Sequence, residues 1–293
     1  MQHNGIGELQ VQIFESRSAL RDYLSTRRDG RVALVPTMGF LHAGHMALVA
    51  AARARGDTVV ASLFVNPAQF GEAADLAAYP RDETRDMAMF RQGGVDAVFM
   101  PPVDEMYAPD AETVVEVTEL SKVLTGAVRP GHFRGVTTVV AKLFNIVQPD
   151  LAFFGEKDFQ QLQVIRRMVK DLDFPVEIVG VPTVREADGL AMSSRNVRLG
   201  AEDRAAAVVL SRALFAAAER CRDGASAEEL QEFITKTIAA EPRADIMGVD
   251  LCDAETLEPA TGEITRPVVA LLAVAFGDVL LIDQHVLNPD AGA

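Results

Sequence analysis

Cysteine is scarce in this sequence, with only Cys221 and Cys252 among 293 residues. The two lack the spacing of metal ligands, and a single possible pair is no disulfide framework, so both are expected to be small core residues. Basic residues are also few: 28 lysines and arginines stand against 42 aspartates and glutamates, a net charge of −14. A protein that binds nucleic acid through its phosphate backbone needs a basic face, so no nucleic-acid partner is expected and any nucleotide must be held by a local site.

Long apolar segments are missing as well. The longest apolar run, residues 267–277, is too short to span a bilayer. The segment MQHNGIGELQ at residues 1–10 has no basic region followed by an apolar stretch, so no secretory signal is expected. The chain is therefore expected to be soluble, cytoplasmic and free of membrane contacts, and its length fits two modest domains.

Short apolar runs alternate with helical stretches in the first part of the chain. Strands are predicted at residues 31–36, 58–65, 96–100, 151–154 and 176–181, and helices at roughly 44–55, 82–93, 135–147 and 159–172. Strands that alternate with helices predict an α/β fold, with a doubly wound, Rossmann-like parallel sheet.

The pattern changes after about residue 186. Helices are predicted at 202–223 and 227–240, followed by strands at 248–253, 267–274 and 278–283, with Phe276 and Gly277 in a hairpin between the last two. The predicted domains are therefore 1–186, a Rossmann-like catalytic domain, and 187–293, a smaller α+β domain. The boundary falls in the polar, turn-forming segment 184–189.

The first chemical motif is PTMGFLHAGH, residues 36–45, directly after the first predicted strand. Doubly wound folds bind ligands at this carboxyl edge of the sheet. Gly39 can let the chain turn and a ligand approach the backbone. His42 and His45, with Gly44 between them, would share one face of a helix start. That start offers free backbone N–H groups and a favourable dipole for phosphate, and two imidazoles could stabilise charge on leaving pyrophosphate.

Other interpretations of the two histidines are that one packs and the other is solvated, or that they bind a metal. A metal site is the weaker of these, because no third ligand is obvious nearby. The H-x-G-H pattern resembles the signature of the nucleotidyltransferase superfamily. By itself that resemblance implies ATP-dependent adenylyl chemistry and no particular substrate.

Four further segments narrow the resemblance: NPAQFG at 66–71, RPGHFRG at 129–135, FGEKDFQQ at 154–161 and DGLAMSSRN at 188–196. Together with PTMGFLHAGH they strongly resemble the pantoate–β-alanine ligase family. The resemblance runs from about residue 31 to 196 and continues more weakly through 253–259 and 281–283.

The resemblance implies an ATP-dependent condensation of (R)-pantoate with β-alanine through a pantoyl adenylate, releasing AMP and pyrophosphate. It also implies Mg²⁺, a homodimer and a C-terminal domain that closes over ATP. The ATP contacts that it implies are Met38, Gly39, His42, Gly44, His45, Gly155, Glu156, Lys157, Asp158, Val184, Met192, Ser193, Ser194 and Arg195. The resemblance assigns catalytic roles to His42, His45, Lys157 and Arg195. It assigns contacts with pantoate and β-alanine to Gln69, Gln161 and Arg129. It also implies that Asp86 occupies a magnesium position.

Several of these residues have a simpler structural interpretation. Gln69 can donate and accept, which suits a carboxylate and a hydroxyl, but it could also cap its own loop. Asp158 and Gln161 have the spacing of a capping box. Lys157 gains nothing from the dipole at a helix start, which favours phosphate binding.

The remaining positions are weighed in the same way. The hydroxyls of Ser193 and Ser194 and the guanidinium of Arg195 could bind triphosphate oxygens. Alternatively, the three residues could belong to an ordinary polar loop. Arg129 could neutralise a carboxylate, or belong to a helix-entry loop. Asp86 follows Arg85, where some relatives are acidic, and its alternative is a solvated helix charge.

Two rival functions use the same H-x-G-H turn. One is a nucleotidyltransferase that acts on another small molecule and stops at the nucleotidyl product. The other is a non-catalytic ATP-binding protein. No general base is obvious in the sequence; His45 is the best candidate for proton transfer, although a phosphate role suits it better.

Overall fold

The computed structural model describes residues 11–71 and 73–290, with the backbone alone for residues 73–75. Residues 1–10, where no secretory signal is expected, lie outside this range. The described chain forms two compact units. One comprises the described residues of Met1–Phe154 and Val164–Val181, and the other those of Gly155–Gln163 and Pro182–Ala293. None of the described helices is both long and apolar enough to cross a membrane. The division into domains 1–186 and 187–293 stays a prediction.

The first unit is built around a six-stranded parallel sheet. In chain order its strands are β1 (Gln12–Phe14), β2 (Val32–Thr37), β3 (Thr58–Leu63), β4 (Ala97–Phe99), β5 (Leu151–Gly155) and β6 (Glu177–Val181). Across the sheet the order is β1-β4-β3-β2-β5-β6. The order reverses between β2 and β5, which makes this the switch point at which doubly wound sheets bind ligands.

Helices connect these strands. They are α1 (Arg17–Ser25), α2 (Ala43–Arg55), α3 (Ala73–Ala78), α4 (Glu83–Gly93), α5 (Val103–Met106), α6 (Thr125–Val128), α7 (His132–Val147) and α8 (Phe159–Asp171). The central strands are buried on both faces, as their continuous apolar runs predict for a parallel sheet. The predicted α/β class is confirmed, and the H-x-G-H segment leaves β2 at the ligand-binding edge.

The second unit packs helices against a small antiparallel sheet. Its further elements are α9 (Ala201–Ala206), α10 (Val209–Arg222), α11 (Ala227–Ala239), β7 (Ala244–Asp253), β8 (Val268–Phe276) and β9 (Val279–Leu287). The strand order is β7-β8-β9, and Phe276 pairs with Val279 across a two-residue turn. Gly277 opens this turn with a φ of 56°, so the predicted hairpin is confirmed.

Two features of the fold differ from the prediction. The helix predicted at 202–223 is divided into α9 and α10, because Ala207 and Val208 have ψ angles of −18° and −19°, closer to a 3₁₀ turn than to an α-helix. Strand β1 and helices α1, α3, α5 and α6 were not predicted. β1 has three residues, two of them exposed, and therefore carries no apolar run.

Both cysteines lie in the core of the second unit and are reduced. Burial raises the pKa of the Cys252 thiol to about 11, with the negative charges of Asp250 and Asp253 adding to the effect. Burial also raises the pKa of Cys221. A raised pKa lowers the thiolate fraction, so at pH 8 only about one Cys252 in a thousand would be ionised.

We therefore expect a disulfide reagent at pH 8 to modify less than about a tenth of the thiols in the folded protein. Both thiols should react once the chain is unfolded in guanidinium. Rapid modification of the native protein would contradict the buried placement.

Candidate active site

The segment that follows β2 turns sharply before α2. Two successive residues have positive φ angles, 85° at Gly39 and 52° at Phe40. A non-glycine residue in this conformation is strained by about 1–3 kcal/mol, so its surroundings must hold it. Asp86 in the first turn of α4 does so, because its Oδ2 accepts the N–H of Phe40 and its Oδ1 that of Leu41, both at 2.7 Å. The N–H of Gly39 donates to Oγ1 of Thr37 at 3.3 Å.

Helix α2 begins with a reciprocal cap made by the two predicted histidines. Nδ1 of His42 accepts the N–H of Gly44 at 3.1 Å, and Nδ1 of His45 accepts the N–H of His42 at 3.2 Å. The rings lie side by side, with 4.1 Å between their centroids. This is a capping box in which imidazole nitrogens replace the usual hydroxyl and carboxylate.

The cap determines what the two rings can offer a ligand. A ring nitrogen that accepts a hydrogen bond carries no proton, so the network assigns both imidazoles as neutral with the proton on Nε2. The N–H of His45 also has an acceptor, the carbonyl of His42 at 2.9 Å. The N–H groups of Gly44 and His45 are therefore not among the free backbone N–H groups that were predicted for this helix start. A phosphate would meet the Nε2–H groups and the helix dipole instead.

Gln69 lies in a 3₁₀ helix, Pro67–Gln69, that follows β3. Its Oε1 accepts from Nδ2 of Asn66 at 3.1 Å, and its Nε2 donates to Sδ of Met38 at 3.0 Å. Because Met38 belongs to the glycine turn, two predicted ligand-contacting residues meet. A primary amide has two N–H groups and two oxygen lone pairs, so one of each is left for a carboxylate or hydroxyl.

Asn66 fixes the orientation of the Gln69 amide. Its Oδ1 accepts from the N–H of Ala68 at 3.2 Å and from the hydroxyl of Tyr107 at 2.8 Å, while its Nδ2 donates to Gln69 and to the carbonyl of Gly135 at 3.1 Å. All four of its hydrogen-bonding positions are filled, at 1% exposure. Burial, partly offset by the bond to Asn66, raises the pKa of Tyr107 to about 12, so the phenol stays a donor.

The predicted RPGHFRG segment, residues 129–135, reaches the same loop through its histidine. Nδ1 of His132 lies 2.9 Å from the carbonyl of Gln69, and since a carbonyl can only accept, this nitrogen carries the proton. Arg129 is half-buried at the end of α6, and its carbonyl accepts the N–H of His132 at 3.1 Å. Arg134 is exposed. The sequence therefore identified this segment but not the contact of its histidine with Gln69.

Other predicted residues lie in the second unit. After β5 the chain runs through a 3₁₀ helix, Glu156–Asp158, directly into α8. Gly155, Glu156, Lys157 and Gln161 are half-buried and Asp158 is exposed. Within the described part of the chain, Lys157 makes no ion pair and the Gln161 side chain no hydrogen bond, so the reciprocal capping box proposed for Gln161 is not formed.

The 184–192 loop leads to the predicted serines and arginine. Its ends are joined by the N–H of Met192, which donates to the carbonyl of Val184 at 2.9 Å. Two arginine side chains hold this loop through paired hydrogen bonds to carboxylates. Arg185 binds both oxygens of the buried Asp283 at 2.7 and 2.9 Å. Arg204 binds Glu186 at 2.7 Å and Asp188, and its hydrogen bonds lower the pKa of Asp188.

Ser193 begins the segment that this loop presents. Its Oγ accepts the N–H of Arg195 at 3.2 Å and so caps a 3₁₀ helix, Ser194–Arg198. Asn196 is anchored by Nδ2 to Glu186 and to the carbonyl of Ala191, each at 3.0 Å. Sequence reasoning missed Arg185, Arg204 and Asp283 because their partners lie up to 98 residues away.

A magnesium site at Asp86 fits this geometry poorly. Both carboxylate oxygens already accept backbone N–H groups, and the residue is 1% exposed. Among the described residues, no group of three or more histidine, cysteine, aspartate or glutamate side chains is placed to hold a metal ion.

The comparisons with known proteins agree with these motifs. The family described as "Pantoate-beta-alanine ligase" matches residues 12–286. A pantothenate synthetase of Sinorhizobium medicae (strain WSM419) is 56% identical over 280 residues, which cover 94% of this chain and 95% of the relative. A pantothenate synthetase of Bartonella tribocorum (strain CIP 105476 / IBS 506) is 52% identical over 285 residues, with 96% and 100% covered.

Solved structures give the same result. The crystal structure of pantothenate synthetase from Thermus thermophilus matches with a TM-score of 0.91 and 48% identity, covering 95% of this chain and 100% of that one. A pantoate-beta-alanine ligase from Francisella tularensis, crystallised with "Beta-gamma ATP" and β-alanine, matches with a TM-score of 0.77 and 30% identity, covering 94% and 98%. The chain belongs to the pantoate–β-alanine ligase family.

Proposed function

We infer that the chain condenses pantoate with β-alanine at the expense of ATP, giving pantothenate, AMP and pyrophosphate. The family match over residues 12–286 supports the substrates. The observation that carries the chemistry is the capped pair of imidazoles at the start of α2, held as Nε2–H donors at the switch point of the sheet. The Francisella relative was crystallised with "Beta-gamma ATP" and β-alanine, which supports two of the three substrates.

In the first step a carboxylate oxygen of pantoate attacks the α-phosphorus of ATP. The bond from that phosphorus to pyrophosphate breaks, and pantoyl adenylate forms. The Nε2–H groups of His42 and His45 would donate to phosphate oxygens as their negative charge grows. Further phosphate donors proposed for this step are Lys157, Ser193, Ser194 and Arg195.

In the second step the amine of β-alanine attacks the carbonyl carbon of the adenylate. The bond between that carbon and the AMP oxygen breaks, the nitrogen loses its proton to water, and the amide of pantothenate forms. His45 is poorly suited to take this proton, because its Nδ1 already accepts a hydrogen bond and its Nε2 is protonated. We therefore propose that it stabilises phosphate charge, and that the enzyme acts mainly by positioning the reactants.

The other ligand contacts remain proposals. The N–H group and lone pair left on Gln69 suit the hydroxyl and carboxylate of pantoate, and Gln161 and Arg129 complete the set proposed for pantoate and β-alanine. For ATP we propose Met38, Gly39, Gly44, Gly155, Glu156, Asp158, Val184 and Met192. We propose that ATP enters as its magnesium complex, so that the ion arrives with the triphosphate.

We also propose a cytoplasmic homodimer in which residues 1–186 are the catalytic domain and residues 187–293 the lid. The dimer and the lid are what the resemblance of the sequence motifs to this family implies, and the domain boundary follows the change of pattern after residue 186. Sedimentation at several protein concentrations tests the dimer.

Labelling the pantoate carboxylate with ¹⁸O tests the reaction. Adenylate formation followed by amide formation leaves one carboxylate oxygen on AMP, so AMP is expected to gain a single heavy oxygen. AMP should appear only when pantoate, β-alanine and ATP are all present. Label in inorganic phosphate, or AMP formed without pantoate, would contradict the mechanism. A nucleotidyltransferase would release pyrophosphate without AMP, and a non-catalytic ATP-binding protein would release neither.

A further inference from the structure

The carboxylate of Asp86 occupies the concave side of the glycine turn. Successive backbone N–H groups in a turn with left-handed residues form a nest that attracts anions. Gly39 and Phe40 both have positive φ angles, and the N–H groups of Phe40 and Leu41 converge on one carboxylate. The anion that fills this nest is a side chain of the protein itself.

Three observations show how closely the carboxylate and the turn fit. A Cβ built on Gly39 would lie 2.9 Å from Oδ2 of Asp86, so the backbone approaches the carboxylate where only glycine fits. The N–H of Asp86 donates to the carbonyl of Asp82 at 2.9 Å, which places the carboxylate in the first turn of α4, where the helix dipole favours negative charge. Asp86 is 1% exposed.

The neighbouring charge disfavours a dication. Arg85 stands next to Asp86, and its guanidinium carbon lies 5.6 Å from the centroid of the Phe40 ring. The Arg85 guanidinium thus packs on Phe40, whose N–H donates to the Asp86 carboxylate. A Mg²⁺ ion at Asp86 would have to approach that positive charge and compete with two short hydrogen bonds.

We propose that Asp86 is a positioning residue that holds the glycine turn, and through it the start of α2 and the two histidines, and that it is not a magnesium ligand. Leu41 is joined directly to His42, so the carboxylate fixes the chain immediately before the cap that orients both imidazoles. The turn is thereby formed before ATP arrives. Only the kinetic part of the test rests on the proposed function.

The first test uses the wild-type protein without nucleotide. Amide hydrogen exchange at Phe40 and Leu41 should be as slow as in the buried strands, although both residues lie in a turn. Adding millimolar Mg²⁺ in the absence of ATP should leave these two amides unchanged. Exchange at the rate of an open loop, or a magnesium-dependent change at these amides, would overturn the proposal.

The second test compares Asp86→Asn with Glu83→Gln, which removes one exposed negative charge from the same helical turn. In Asp86→Asn the side-chain NH₂ group replaces one carboxylate oxygen and must face a backbone N–H of the turn. Protection at Phe40 and Leu41 should fall and kcat/KM for ATP should drop by about tenfold or more. The magnesium concentration for half-maximal rate should stay within about twofold of wild type. Glu83→Gln should change none of these.

The opposite pattern would identify a metal ligand. If Asp86→Asn kept its amide protection while its half-saturating magnesium rose and excess Mg²⁺ restored the rate, the positioning role would be wrong. If the substituted protein does not fold, the exchange measurement on the wild type still decides between the two roles.

Discussion

Replacing His45 with alanine is expected to lower the rate of AMP formation by about 10²–10³-fold, the usual cost of losing one donor to the charge that develops in a transition state. The same change removes the acceptor for the N–H of His42, so it also loosens the start of α2. Alanine alone therefore cannot separate the two contributions. Substitution with glutamine and with asparagine separates them.

Glutamine and asparagine each retain one nitrogen position of the imidazole. Asparagine places its Oδ1 near the position of Nδ1 and can still accept the N–H of His42, but it has no group at Nε2. Glutamine places an N–H donor near Nε2 and leaves the cap without its acceptor. We expect His45→Gln to retain activity within about tenfold of wild type and His45→Asn to be about as impaired as His45→Ala.

The same pair of variants tests proton transfer. A glutamine amide cannot accept a proton at neutral pH, so a general-base role would make His45→Gln as inactive as His45→Ala. Pyrophosphate release in a single turnover with ATP and pantoate, before β-alanine is added, isolates the adenylation step in each variant. Amide exchange at His42 measures the cap independently of activity. An active His45→Asn together with an inactive His45→Gln would contradict the phosphate role.

The fold was predictable because its strands are buried on both faces. Runs such as the one in β2 are apolar without interruption, and the helices between them have clear ends, as at Gly94 with its φ of 73° after α4. Strand β1 escaped because an exposed edge strand of three residues needs no apolar run. The break between α9 and α10 escaped because neither glycine nor proline marks it.

The candidate site was predictable in its residues but not in its hydrogen bonds. The spacing of His42 and His45 predicted a shared face at a helix start. It could not show that the imidazoles themselves accept the backbone N–H groups, which was the opposite of what a helix N-terminus suggested. Side-chain acceptors at a cap are local, but which nitrogen accepts depends on ring orientation in the folded turn.

Hydrogen bonds between residues far apart in the sequence could not be predicted. Asp86 reaches residues 45 and 46 positions away, and Tyr107 reaches Asn66 across 41 positions. No periodicity links such pairs, because they are brought together by the order of the strands. Asn66 itself could have been found, since an asparagine directly after a buried strand at the ligand-binding edge has the same sequence context as the predicted Gln69.

Gly135→Ala is expected to lower kcat/KM for pantoate by about 100-fold, since a misplacement of roughly 1 Å can cost that much. A Cβ on Gly135 would lie 2.3 Å from the carbonyl oxygen of Ala68 and 2.6 Å from the nitrogen of Gln69. Both are backbone atoms, so no side-chain rotation relieves the overlap. The loop must move away from α7, and the bond from Asn66 to the carbonyl of Gly135 lengthens with it.

The kinetic pattern distinguishes this displacement from general destabilisation. Overpacking costs typically about 1–3 kcal/mol of stability, so the measurements belong well below the unfolding temperature. There, KM for pantoate should rise or kcat fall while KM for ATP stays within about twofold, because the atoms that the added Cβ overlaps belong to Ala68 and Gln69. Gly71→Ala is the matched control in the same loop, since no described atom lies within 4 Å of its added Cβ. Wild-type pantoate kinetics in Gly135→Ala would mean that Gln69 is not held by α7, and a parallel loss for both substrates would point to unfolding of the unit instead.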